Sequence, residues 1–349
     1  MSPLIALTLC ILFIIYLYID DFRREPKVSQ ALWIPLIWFL VDGSRSLTEW
    51  MGYGLHYTSV EDYAEGSPID RNVSVLLAAA GIFILVRRKL SWSQIVRLNG
   101  WMFIFMLFCG ISILWSDFSL IAAKRWVKAA GVLVMVLVVL TDQNPVGAIK
   151  ALIRRWAYVL IPLSLILIKY FGELGRSYDR WTGQVFYSGV GTDKNALGYL
   201  CLICGFFYVW SLLTMWRHKI LFHDKKETLL TIFFLALTSW LLYLAQSATS
   251  LGVLLAGICI LVLLDFNLVK RNPNSTVMIG IVIASILFWA FDVMGMILGS
   301  LNRDVTLTGR TELWKDLMEI GTNPLIGTGY ESFWLGDGAK TLWIKYWWH

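Results

Sequence analysis

Charge is what this sequence has least of. Lys, Arg, Asp and Glu make 15% of its 349 residues, against about 25% in an ordinary soluble domain, while hydrophobic residues make 58%. A chain of this length cannot hide so much apolar side chain in its own core, so part of that surface faces lipid. Histidine and cysteine are scarce as well, at four and five residues. His56, His218, His223 and His349 show no metal-ligand spacing, and the chain has neither an H-E-x-x-H pair nor a Walker sequence. Zincin-type and P-loop chemistry are therefore excluded. Cys201 and Cys204 form a C-x-x-C, but inside an apolar run with no βαβ context they read as two small core residues. The net charge of +6 is spread over short loops, with no basic patch interleaved with aromatics, so a nucleic-acid partner is not expected.

What is there is a succession of apolar runs. Leu4 to Ile19, Ala31 to Val41, Val73 to Val86, Gly100 to Trp115, Val127 to Leu140, Ala157 to Ile168, Ala196 to Trp216, Leu229 to Ala245, Leu251 to Phe266 and Val277 to Gly299 make about ten. Each approaches the roughly 20 residues that span a bilayer as helix, some only with polar flanks. The runs are continuous rather than alternating, which favours helices over barrel strands. The expected fold class is thus all-α, a single multi-span membrane domain over residues 1–349, its first segment retained because it lacks the marks of a cleaved signal peptide. The segments after the odd-numbered spans hold Arg23, Arg24, Arg87, Arg88, Lys150, Arg154, Arg155, Arg217 and other basic residues, which places them in the cytoplasm. Trp115, Trp126, Trp156, Trp216 and Trp240 stand near run ends, where indole suits the headgroup level. Three long segments then fall on the outer face: 42–72, 169–195 and 300–349.

Two of these carry chemistry. The segment from Lys169 is rich in glycine and cations, with Arg176, Arg180 and Gly183 ahead of Gly189-Val-Gly-Thr-Asp193-Lys194-Asn195. Lys194 and Asn195 open a span whose first N–H groups and positive dipole end would welcome a phosphate; equally, Lys194 could anchor the helix by snorkelling. In the last segment Leu313, Leu317 and Ile320 share one face at helical spacing, with Trp314 and Met318 beside them. A short amphipathic helix follows, stopped by Gly321 and Pro324. Arg310 falls in its first turn, against the dipole, and a guanidinium beside helix-start N–H groups suits a diphosphate. Beyond it, Gly327-Thr-Gly329-Tyr330 turns into Phe333 and Trp334; Tyr330 and Trp334 would stack on sugar faces or anchor at the interface.

At these residues the chain resembles the O-antigen ligase and polysaccharide polymerase superfamily of bacterial inner-membrane proteins. Asp193-Lys-Asn195-x-Leu-Gly198, Gly309-Arg310-Thr-x-Leu-Trp314 and Asn323-Pro-Leu-Ile-Gly-x-Gly329-x-x-x-Phe333 carry the resemblance, with weaker echoes in Ser44-Arg45-x-Leu47 and Trp115-Ser116. It covers most of the chain, with a ligase-like core at 189–340 that takes in the large loop of 300–349. The resemblance implies metal-independent, cofactor-free glycosyl transfer on the periplasmic face, from undecaprenyl diphosphate to an acceptor hydroxyl on a glycan, lipid or protein. It offers Arg310 and Arg180, with Lys194 and Asn195, for the diphosphate, Arg310 also as a catalytic residue, and a histidine near the acceptor, for which His349 is either the base or the edge of a longer motif. Two departures stand out. The hairpin Gln246-Ser-Ala-Thr-Ser250 lacks the arginine many members have, and two more spans are expected after His349, so a truncated reading frame or fragment is expected; if so, the chain could bind a donor yet fail to transfer it. A non-catalytic protein that binds lipid-linked glycan for export is the alternative. A solute transporter is disfavoured because few ionisable residues, such as Asp265 and Asp292, fall near the later spans.

Overall fold

The computed structural model describes residues 2–24, 28–52, 66–178, 183, 185–219, 224–263, 278, 280, 310–323, 325–336, 339, 341–342 and 345. It is helical, as expected: α1 (Pro3–Arg24), α2 (Trp33–Asp42), α3 (Leu47–Trp50), α4 (Pro68–Arg87), α5 (Trp92–Leu98), α6 (Gly100–Ile111), α7 (Ser119–Leu140), α8 (Pro145–Tyr170), α9 (Gly172–Gly175), α10 (Lys194–Arg217), α11 (Lys225–Ala245), α12 (Ala248–Leu263) and α13 (Arg310–Glu319). A small antiparallel hairpin, β1 (Arg176–Tyr178) and β2 (Val185–Tyr187), pairs Ser177 with Phe186.

Among the described residues five helices are long and apolar enough to cross a bilayer, α1, α4, α8, α10 and α11, or six if α5 and the stretch Gly100–Trp115, bent by 89° at Asn99, count as one span. The about ten expected spans differ from this for local reasons. The second run gives a helix of fewer than 18 residues, and the ninth is described only as far as Leu263. The fifth gives the 22-residue α7, whose first half carries Lys124, Arg125 and Lys128. The tenth run lies outside the described residues.

The chain divides into two compact units. The first gathers Met1–Val28, Phe39–Arg45 and the described residues of Val146–Met294. Its core is α10 against α11 and α12, with Phe234, Leu197, Leu200 and Leu241 buried. Arg154 and Arg155, expected in a cytoplasmic loop, instead sit inside α8. They grip the buried Asp21 of α1 at 2.5 Å (Arg154 Nη2) and 2.6 Å (Arg155 Nε). Tyr18 donates to the Arg155 carbonyl at 3.0 Å, and the Arg155 guanidinium lies 4.4 Å from the centre of the Phe22 ring. Two cations on adjacent positions of an apolar helix are tolerated because one carboxylate answers both. Trp156 likewise is no interface anchor: it is buried, donates to the Phe39 carbonyl at 2.8 Å, and fills the space where Gly43 lacks a Cβ. Trp216 and Trp240, by contrast, are exposed.

The second unit gathers Ser29–Trp38, Ser46–Pro145 and the described residues of Gly295–His349. Here α4 packs on α7 around Leu85, Leu137 and Val138. Gly131 of α7 admits the Trp38 ring, which a Cβ would meet at 2.7 Å. Asp70 of α4 accepts from Leu47 N at 2.9 Å and Thr48 Oγ1 at 2.8 Å, fixing the start of α3.

Candidate functional site: two glycine-rich turns

In the first unit the motif segment is built outward from the end of α8. Gly175 lies so close under that helix that a Cβ would fall 2.3 Å from the Leu167 carbonyl carbon, and Arg176 Nε donates back to the Ile168 carbonyl at 2.8 Å. After the hairpin, Ser188 N and Gly189 N both donate to the Gly175 carbonyl, at 3.0 and 3.1 Å. Gly189 adopts φ +57 and presses on Ser164, whose hydroxyl accepts from Val190 N at 3.3 Å. Arg45 closes the arrangement. Its backbone N donates to the Val190 carbonyl at 3.1 Å. Its guanidinium reaches the Leu174 and Gly189 carbonyls and the Ser188 hydroxyl. The weak sequence echo Ser44-Arg45 is thus the brace of the 172–191 loop, and Ser164 is a member that periodicity did not reveal, because a buried serine in an apolar helix carries no pattern.

Lys194 and Asn195 begin α10 as expected, but the helix start is not open. Asp193 Oδ1 accepts from Asn195 N at 2.6 Å and Ala196 N at 3.0 Å, a side-chain cap. Two of the anticipated orphan donors are therefore already met by a carboxylate. Lys194 Nζ lies 4.0 Å from the centre of the Phe186 ring, a cation–π contact that fixes it over the hairpin. Gly198 has a packing role: a Cβ there would be 2.6 Å from Ser247 Cβ, where the Ser247 and Ser250 hydroxyls, 3.0 Å apart, line the α11–α12 turn.

In the second unit the other glycine motif docks on Trp115-Ser116. Asn323 Oδ1 accepts from Leu325 N and Ile326 N, at 3.0 and 3.2 Å, and opens the turn. Trp115 Nε1 donates to the Ile326 carbonyl at 3.1 Å. Gly329, at φ +95, lies where a Cβ would be 2.5 Å from Ser116 Cβ, and the buried Ser116 and Ser332 hydroxyls are 2.5 Å apart. Arg125 donates to the Glu331 carbonyl and stands 3.9 Å from its carboxylate. It thereby holds a non-glycine residue at φ +50, a backbone strain of about 1–3 kcal/mol. Tyr330 and Trp334 share this turn, both half-buried, and the Phe333 and Trp334 rings meet edge-on at 5.2 Å. Burial first, then the Glu331 carboxylate, pushes the Tyr330 hydroxyl above its ordinary pKa, so it stays a neutral donor. Arg125 went unnoticed in the sequence because it reads as a loop cation beside an apolar run.

Arg310 is the first residue of α13; its side chain, and all of Arg180 and His349, lie outside the described residues. The amphipathic helix forms as expected. Leu313, Leu317 and Ile320 are half-buried, Trp314 and Met318 exposed, and Asp316 is paired with Lys345 at 2.7 Å.

Residues 233–346 match the O-antigen ligase family. That match supports the resemblance to the O-antigen ligase and polysaccharide polymerase superfamily. The chain is also similar to the Exopolysaccharide production protein ExoQ of Rhizobium meliloti (strain 1021), 26% identical over 256 residues, which are 70% of this chain and 55% of that protein. The chain thus spans about half the length of the curated relative it matches. No solved structure matches it. The O-antigen ligase match takes in the α11–α12 turn, α13 and the Gly329 turn.

Proposed function

We propose that this chain transfers a glycan from a polyprenyl diphosphate carrier, undecaprenyl diphosphate in a bacterial inner membrane, to an acceptor hydroxyl at the periplasmic face, without a metal ion or cofactor. The observation that carries the reading is the O-antigen ligase match over 233–346, which includes the helix opened by Arg310 and the turn seated on Trp115-Ser116. The acceptor oxygen attacks the anomeric carbon, the bond from that carbon to the diphosphate oxygen breaks, and the hydroxyl proton passes to a base. Arg310 and Arg180, with Lys194 and Asn195, hold the diphosphate and stabilise the charge it gains on leaving. His349 is the base that the family resemblance offers. Tyr330 and Trp334 supply an aromatic and a hydroxyl surface to the sugar or the acceptor.

The test is glycan transfer in a strain lacking its own ligase or polymerase. Arg310→Ala is expected to cut transfer by about 10²–10³-fold, the scale for losing one charge-stabilising donor, while membrane level stays unchanged. Transfer within twofold of the parent would refute the role of Arg310 and, with it, this mechanism.

A further inference from the structure

Within the first unit, Arg154 of α8, Tyr208 and Ser211 of α10, and Glu227 and Thr231 of α11 line a small polar cavity. It gives the centre of a water molecule about 20 Å³, and about 10–15 Å³ is enough to hold one. Two features call for such a guest. The first is the Tyr208 hydroxyl, which belongs to a residue only 2% exposed and has no hydrogen-bond partner among the described residues. Its ring is not free to swing toward one, because it stacks on Phe234 at 5.7 Å and meets Phe207 edge-on at 5.2 Å. A buried hydroxyl left in this state carries its whole desolvation cost, and protein interiors commonly answer such groups with ordered water. The second feature is a gap. Arg154 holds Asp21 through Nη2 at 2.5 Å, whereas its Nη1 stands 3.8 Å from Glu227 Oε1. That separation is too long for a direct hydrogen bond and within reach of a water bonded to both. The lining also selects water over an ion. Arg154 and Glu227 bring one charge of each sign, and among the described residues no three His, Cys, Asp or Glu side chains gather to hold a metal.

We propose that this cavity is a binding site for one internal water, which accepts from the Tyr208 hydroxyl and from Arg154 Nη1 and donates to the Glu227 carboxylate. Every polar atom in that arrangement is then used in the sense its chemistry allows: two donors meet the lone pairs of the water, and a carboxylate takes its proton. The site extends the ion cluster. Asp21 of α1 and Glu227 of α11 already face the same guanidinium of α8, and the water adds α10 to that group through Tyr208. Four helices are thereby joined at one polar point inside an otherwise apolar unit. The site does not depend on the transfer reading.

The experiment uses the full chain in nanodiscs, given a brief X-ray pulse so that bound water releases hydroxyl radical where it sits. Tyr208 is expected to be oxidised several-fold faster than Phe234, which is as deeply buried and does not line the cavity. Equal protection of the two rings overturns the proposal. Tyr208→Phe supplies the second arm. If the hydroxyl serves a water, its loss lowers the thermal unfolding midpoint by a few degrees. If the hydroxyl is dry, its removal relieves a desolvation cost, and a midpoint that holds or rises sinks the inference. Should the variant misfold, a density map of the parent decides without it. An isolated solvent peak within hydrogen-bond reach of Tyr208, Arg154 and Glu227 is expected; a side chain from residues 220–223 in that place, or no density there, overturns the site.

Discussion

The loop from Gly172 to Gly191 is braced by one arginine that reaches in from the end of α2, while the turn from Gly327 to Ser332 is held by an indole, a hydroxyl pair and Arg125. Just after the first, in α10, the motif glycine Gly198 allows a close approach to Ser247 and Ser250. In the second, Gly329 supplies both a positive φ and a close approach to Ser116. The same letter in a motif therefore stands for packing alone at Gly198 and for packing together with backbone conformation at Gly329. The strain is also placed differently. The first loop carries its positive φ on glycine, whereas the second places one on Glu331 and restrains it with Arg125.

The comparison can be broken most sharply at Gly329. Gly329→Val adds left-handed strain of about 1–2 kcal/mol to overpacking of about 1–3 kcal/mol, and thermal unfolding in detergent should show a lower midpoint together with loss of transfer. Gly198→Val carries the overpacking cost alone, so a loss as large as that at Gly329 would deny the distinction. Arg45→Ala comes next. It removes a charged donor to several carbonyls, worth about 1.5–3 kcal/mol, and should raise proteolysis of the 172–191 loop while leaving cleavage near Gly329 unchanged. Ser116→Ala is the mildest, at about 1 kcal/mol for a hydroxyl pair, and should be read as faster hydrogen exchange across 325–335.

Much of the fold was legible because apolar runs of this length have few alternatives in a bilayer; α1, α4, α8, α10 and α11 fall where the composition puts them. The amphipathic α13 followed from Leu313, Leu317 and Ile320. What did not follow was pairing. Nothing local tells that Arg154 and Arg155 belong inside α8, since their tolerance depends on Asp21, more than a hundred residues away. The same holds for Trp156, whose partner is the Phe39 carbonyl, and for the α10 start, where Asp193 takes the donors that the dipole argument left for a ligand. Residue type fixed which motifs mattered; contact partners separated Ser44-Arg45 and Trp115-Ser116 from coincidence.

The ion pair between α1 and α8 has a consequence for how the protein is made. An arginine in an apolar membrane helix carries an insertion cost, and α8 carries two in succession. The helix that answers them, α1, is synthesised first and must be waiting in the bilayer, with Asp21 available, when α8 leaves the ribosome. The expected consequence is that α8 settles in the bilayer only once Asp21 of α1 is there to meet its arginines. Pulse-labelled chains with Asp21→Ala should show α8 accessible to protease, whereas chains altered at Arg45 should not.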